Sequence, residues 1–288
     1  VASASQGAQA LIDAGRLDEA LARLDASAGD PDSLALLGVI WAKKAEAAPL
    51  PTPPPPVPGA RRGALPPAPE FKEEELTALG FLDKALAAQP GHPRASLALA
   101  ELLGPHALRQ FDLRQASQRK KASSGASAAA AAGGVDFSVE RVAQAYRAAA
   151  APNGPSEALE RFYAFAVRSG RLADAEWALE QGVERDKENP APLIRFGDFL
   201  AQEKKDPRAA IERYREALIW RPDDEATLGK IADIYIGEAI ELYNKSQYAV
   251  AQSRLQEAQK FVRNPNSPQG LRIKDYLAKI GSIRQSPR

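Results

Sequence analysis

The chain of 288 residues has no cysteine and no methionine, two histidines, and aromatic residues at only 7%. Without cysteine there is no disulfide framework, no thiolate nucleophile and no cysteine-ligated zinc or iron centre. His92 and His106 are the only imidazoles, and each sits beside a proline and reads as a loop residue. A histidine metal cluster or a Ser–His–Asp constellation therefore has nothing to build on. No glycine-rich phosphate loop follows a strand pattern, and the carboxylates alternate with cations at helical spacing, as on a solvated helix face. The expectation is a non-enzymatic chain with no catalytic residue, no cofactor, no metal and no small-molecule substrate. An excess of one charge is also missing. The 38 lysines and arginines against 37 aspartates and glutamates leave a net charge of +1, so there is no global pull towards nucleic acid or membrane. The longest apolar run, Leu34 to Ala42, is too short to cross a bilayer.

What is present is internal repetition. Ala20 and Leu24 follow the turn Gly15-Arg16-Leu17, Ala175 and Leu179 follow Gly170-Arg171-Leu172, and Ala210, Tyr214 and Ala217 precede Trp220-Arg221-Pro222. A small residue, a bulky one four on and a small one three further, recurring at about 34 residues, outlines a stacked helical hairpin. Abundant alanine and sparse aromatics suit closely packed helices better than a sheet.

This pattern resembles the tetratricopeptide repeat (TPR) family. The resemblance implies an all-α fold: a right-handed α-solenoid of about six TPR-like hairpins with a C-terminal capping helix. Residues 1–30 give the first unit, with Ala8, Leu11, Ala20 and Leu24. Residues 31–92 give the second, with Leu34, Leu37, Gly38 and Trp41 on helix A and Ala78, Leu82 and Ala85 on helix B. Residues 93–154 give the third, from Leu99, Ala100 and Leu103 to Val142, Tyr146 and Ala149, with valine at a small position. Units four to six occupy 155–267, and the fifth is the most regular, with Leu193, Phe196, Gly197, Leu200, Ala210, Tyr214 and Ala217. Tyr163 of the fourth unit is a second departure from a small position. In residues 268–288, Leu271, Ile273, Leu277 and Ile280 are expected to cover the end of the stack, with Arg272, Lys274, Asp275 and Lys279 towards water.

Three units are too long at one place, the turn between helices A and B, by about 28, 30 and 7 residues. In a repeat stack those turns share a rim. The insertion at 45–71 contains Pro49-Leu50-Pro51-Thr52-Pro53-Pro54-Pro55-Pro56 and Pro66-Pro67, which predicts polyproline II as a partner ligand, a strap or a spacer. In the insertion at 104–134, residues 105–121 read as a separate basic helix: Arg109, Arg114, Arg119, Lys120 and Lys121 face a single Asp112, with Leu108 and Phe111 to pin it. Anionic lipid, acidic protein and plain solvent are its alternatives. The alanine-rich 122–134 reads as a tether. The excess in the sixth unit predicts about one extra turn on each helix, lifting Tyr243 and Tyr248 towards a partner or onto each other.

Helix A lines the inner groove in this family. At its sixth position stand Arg161, Arg195 and Lys230, joined as a candidate by Arg168. The resemblance implies a peptide-binding face, but the asparagine of the known carboxylate clamp is absent, and Arg195 with Asp198 and Lys230 with Asp233 offer internal pairing at i, i+3. The expected role is an interaction scaffold or adaptor that binds protein or peptide through the groove or the insertion rim. The alternative is a permanent accessory subunit of a larger, membrane-associated complex; nucleic acid is not expected. The missing initiator and the small polar start Val1 to Gly7 predict a chain processed on export in a bacterium, periplasmic and anchored as a lipoprotein, with a cytoplasmic chain as the alternative.

Overall fold

The computed structural model describes residues 2–24, 29–48, 71–121 and 136–285. All the regular structure among them is α-helical. The chain divides into two compact units, Val1–Ala178 and Leu179–Arg288, with the boundary inside one helix.

The first unit holds α1 (Ala2–Asp13), α2 (Leu17–Arg23), α3 (Pro31–Ala47), α4 (Glu73–Ala88), α5 (Pro93–Lys121), α6 (Val139–Ala149), α7 (Ser156–Arg168) and the start of α8 (Leu172–Arg185). Helices pack as consecutive pairs, α1 with α2, α3 with α4 and α5 with α6, and each pair rests on the next through α3 on α5 and α6 on α7. The pairs close because small residues meet large ones. A Cβ added to Gly38 of α3 would lie 2.5 Å from Leu82 Cγ of α4, so only glycine lets these two helices approach so far. Ala78 and Ala85 flank Leu82 and are fully buried. In the third pair the valine at a small position, Val142, is also fully buried. It lies beside Gly104, where an added Cβ would sit 4.0 Å from Val142 Cγ1.

Starts and stops follow from local chemistry. Asp30 caps α3 by accepting the Ser33 N–H at 3.0 Å, and Pro31 follows where its missing N–H costs nothing. Ser138 does the same for α6, accepting from Arg141 N–H at 3.2 Å. Gly15 (φ 74°) and Gly170 (φ 72°) stop α1 and α7 in the left-handed conformation. Arg16 N–H then bonds Leu11 O, and Arg171 N–H bonds Ala166 O, both at 2.8 Å, closing a Schellman motif each time. The repeated Gly-Arg-Leu is thus one helix-stopping device used twice.

The second unit holds α9 (Pro190–Gln202), α10 (Pro207–Trp220), α11 (Glu225–Asn244), α12 (Tyr248–Gln259) and α13 (Pro268–Gln285). The pairs are α9 with α10 and α11 with α12, and α13 packs against both members of the second. Asn189 and Asp206 cap α9 and α10, each followed by proline. Gly197 meets Tyr214 as Gly38 meets Leu82: an added Cβ would lie 2.7 Å from Tyr214 Cδ1 and 2.9 Å from Cζ. Ala251, Leu255 and Ala258 of α12 build a core with Ile236 and Ala239 of α11 and with Ile273 and Ile280 of α13.

Several sequence expectations need correction. The basic stretch 105–121 is no separate helix; it continues α5, a single helix of 29 residues with Pro105 inside it. Pro105 lacks an N–H for the Glu101 carbonyl, yet the flanking turns hold the ladder together. His106 therefore lies in a helix, not a loop. The seven extra residues of the sixth unit are not shared between two helices, because α11 has 20 residues against 13 in α9 while α12 has only 12. Leu271 of α13 is 54% exposed, so Ile273, Ile280 and half-buried Leu277 form the apolar face of the cap with half-buried Tyr276. The proline-rich stretch, the alanine-rich tether and the side chains of Arg119, Lys120 and Lys121 lie outside the described residues.

Candidate protein-binding surfaces

In the second unit, Lys230 Nζ donates to Asp198 Oδ1 at 2.5 Å, and the Tyr214 hydroxyl donates to the same oxygen at 2.7 Å. Lys230 thus pairs across helices with the carboxylate 32 residues earlier, not with Asp233 on its own helix. Asp233 instead accepts from Gln269 Nε2 at 3.0 Å and from Arg272 at 3.4 Å on α13. Arg195 is engaged as well. These groups staple α9, α11 and α13. A shallow cleft of about 210 Å³ beside them is lined by Gly229, Lys230, Asp233 and the α12–α13 turn.

The tyrosine pair of the long hairpin is half-buried. Tyr243 makes an edge contact with Tyr248 at 5.4 Å between ring centroids and a second with Tyr276 of α13, also 5.4 Å. The rings therefore pack on each other and anchor the cap.

In the first unit, Arg161 of α7 pairs with Glu101 of α5 and lies 3.5 Å from Glu157. Arg168, at the end of α7, reaches Asp112 of α5 at 3.4 Å with both side chains more than half exposed. Arg109 and Arg114 project into solvent from α5 and have no ion-pair partner among the described residues. The structure thus brings Arg109, Asp112 and Arg168 together around a trough of about 490 Å³.

The geometry of α5 explains that trough. Its hairpin partner α6 has only 11 residues. Phe137, just before α6, lies level with His106, with ring centroids 6.4 Å apart. Residues 107–121 of α5 therefore run past the start of α6. The end of α7 reaches only to Phe111 and Asp112, through Gly170 and Arg168. At 1.5 Å per residue the overhang is about 22 Å long.

Sequence reasoning passed over both histidines as structural parts. His92 is buried at the start of α5; Ala95 N–H donates to its Nδ1 at 3.2 Å, so its own proton sits on Nε2, 3.0 Å from Asp32. It is the N-cap of α5. His106 Nε2 lies 3.2 Å from Glu75 Oε1, and its ring packs on Phe71 at 4.3 Å. Phe71 and Phe137 are in turn 5.6 Å apart. Lys72 Nζ donates to two carbonyls at the end of α3, Ala45 at 2.6 Å and the C-cap Ala48 at 2.7 Å. The bases of the two long insertions, distant in sequence, thus meet around His106; the Pro-His dipeptide gave no signal of this. Among the described residues no group of three or more His, Asp or Glu is placed to hold a metal ion. No described helix is long and apolar enough to cross a membrane.

The paired helices, with a small residue on one wedged against a large one on the other, form repeated helical hairpins of the kind the TPR resemblance implies. No family model matches the chain, and no curated protein matches it. Solved structures similar to it include that of PilF from Pseudomonas aeruginosa, with 14% identity, 96% of each chain covered and a TM-score of 0.43. Another is the TPR domain of P58(IPK), with 14% identity, 98% of this chain covered and a TM-score of 0.32; the match spans 65% of that chain.

Proposed function

We propose that this chain is a non-enzymatic scaffold that binds protein or peptide. The observation that carries the reading is the overhang of α5, a helix of 29 residues whose hairpin partner has 11. Half-buried Leu108 and Leu113 and exposed Arg109 share one face of that overhang. Arg161 in the first unit and Lys230 in the second are by contrast taken up by neighbouring carboxylates, which favours the overhang as the contact. A transient adaptor and a permanent subunit of a larger complex both use such a surface. They differ in whether the partner survives purification.

The test is affinity capture from native extract with the full chain, in parallel with Arg109→Glu and Lys230→Glu variants. Loss of the same partners with the first variant and retention with the second supports contact through the rim. The reverse result moves the contact to the groove. Capture of no protein by the unmodified chain overturns the scaffold reading.

A further inference from the structure

We propose that the overhang of α5 is the docking site for an acidic amphipathic helix of a partner protein. This rests on the scaffold reading and names its contact. Pro105, Leu108, Arg109, Asp112, Leu113 and Ala116 line the trough. Their spacing is i, i+3, i+4, i+7, i+8 and i+11, which places all six on one face of the helix. Leu108, Leu113 and Ala116 give that stripe an apolar floor, and Arg168 from the end of α7 stands at its side. A second helix laid along such a stripe buries its own apolar seam there.

Charge selects the kind of helix. Arg109 and Arg168 border the trough, against Asp112 as the acidic group of the lining. The 3.4 Å contact between Arg168 and Asp112 is long and solvent-exposed, so it gives way readily to a carboxylate offered from outside. A helix with leucine on one face and glutamate at the edges complements both the floor and the border. A bilayer fits less well. Membrane-bound helices present an apolar ridge with cations snorkelling outward, whereas here the apolar atoms lie inside a trough between cations. The overhang of about 22 Å accommodates about four turns of a partner helix.

The probe is a fluorescein-labelled synthetic helix of about 14 residues, with leucine on one face and glutamate elsewhere, beside a lysine-faced counterpart of equal length. Binding to the full chain is followed by anisotropy. The glutamate helix is expected to bind, with affinity falling as salt rises, and the lysine helix not to bind. The double variant Arg109→Glu, Arg168→Glu should weaken the glutamate helix by about tenfold or more and admit the lysine helix. Both arginines are exposed, and an unchanged circular dichroism melt shows that the fold is kept. Leu108→Ser, with all charges kept, should also weaken binding.

Equal affinity of the glutamate helix for the unmodified chain and the double variant overturns the proposal. So does failure of that helix to bind while phosphatidylglycerol vesicles do, which marks a lipid surface. Self-association abolished by Arg109→Glu, measured by sedimentation, also overturns it, because a second copy is then the occupant. If native partners are still captured by the double variant, the scaffold reading stands and the docking site lies elsewhere.

Discussion

Gly197→Ala should destabilise the second unit, while the same change at Gly237 should stabilise it. Gly197 sits on α9 against the ring of Tyr214, and the methyl group would arrive 2.7 Å from Cδ1 and 2.9 Å from Cζ. The ring has little room to retreat: Tyr214 is 2% exposed, and its hydroxyl is held by Asp198 at 2.7 Å. Overpacking a closed core costs about 1–3 kcal/mol. Alanine recovers about 1 kcal/mol through its better helix propensity. The net loss is up to about 2 kcal/mol. At Gly237, inside α11, an added Cβ meets nothing within 4 Å. There only the propensity term acts, a gain of about 0.5–1 kcal/mol. For a unit of about 100 residues each kcal/mol moves Tm by about 4–8 °C. Thermal melts followed by circular dichroism at 222 nm should therefore shift down for Gly197→Ala and up for Gly237→Ala. If both shift the same way, close approach of the two helices is not what selects glycine at position 197.

Ser246 ends α11 with φ at 60°, where Gly15 and Gly170 stand in the equivalent turns. Ser246→Gly should add about 1 kcal/mol, read as a higher Tm. His92→Ala should remove the side-chain cap of α5 and cost about 1 kcal/mol, whereas His92→Asn, another capping residue, should cost less in the same chemical melt. Alkaline pH should loosen both units. Burial pushes the Tyr146 hydroxyl from 10.0 up to about 12. Tyr214 is raised by burial first and then by its bond to Asp198. The folded state holds these protons more tightly than the unfolded chain, so stability is whole below pH 10.0 and falls as pH rises towards 12. Tyr146→Phe should flatten that slope in the first unit.

Helical hairpins were legible because their signal is local and repeated. Ala20, Ala78, Ala210 and Ala251 are all fully buried, and a small residue every repeat at a helix contact needs no knowledge of the rest of the chain. Helix lengths were less legible. The sequence pattern starts a new helix at Pro105, yet α5 passes through it, with Glu101 on one side paired to Arg161 and His106 on the other against Phe137. The insertions were visible as excess length, but the assignment of all seven extra residues to α11 depends on the tyrosine cluster with Tyr276, a long-range contact. The candidate cations Arg161 and Arg168 stand on α7, Arg195 on α9 and Lys230 on α11. Their partners were not legible, since Lys230 has an aspartate at i+3 and takes the one on α9, where the Tyr214 hydroxyl already fixes the carboxylate.

The part of α5 that runs past the start of α6 is the basis of both the scaffold reading and its docking site, and amide hydrogen exchange addresses it directly. In the free protein, amides of residues 107–116 should exchange much faster than those of residues 97–104, which lie under α6 and are largely buried. Adding the glutamate-faced helix should slow the first stretch and leave the second unchanged. Equal protection along the whole of α5 in the free protein would mean that the overhang is already covered, and would contradict the account.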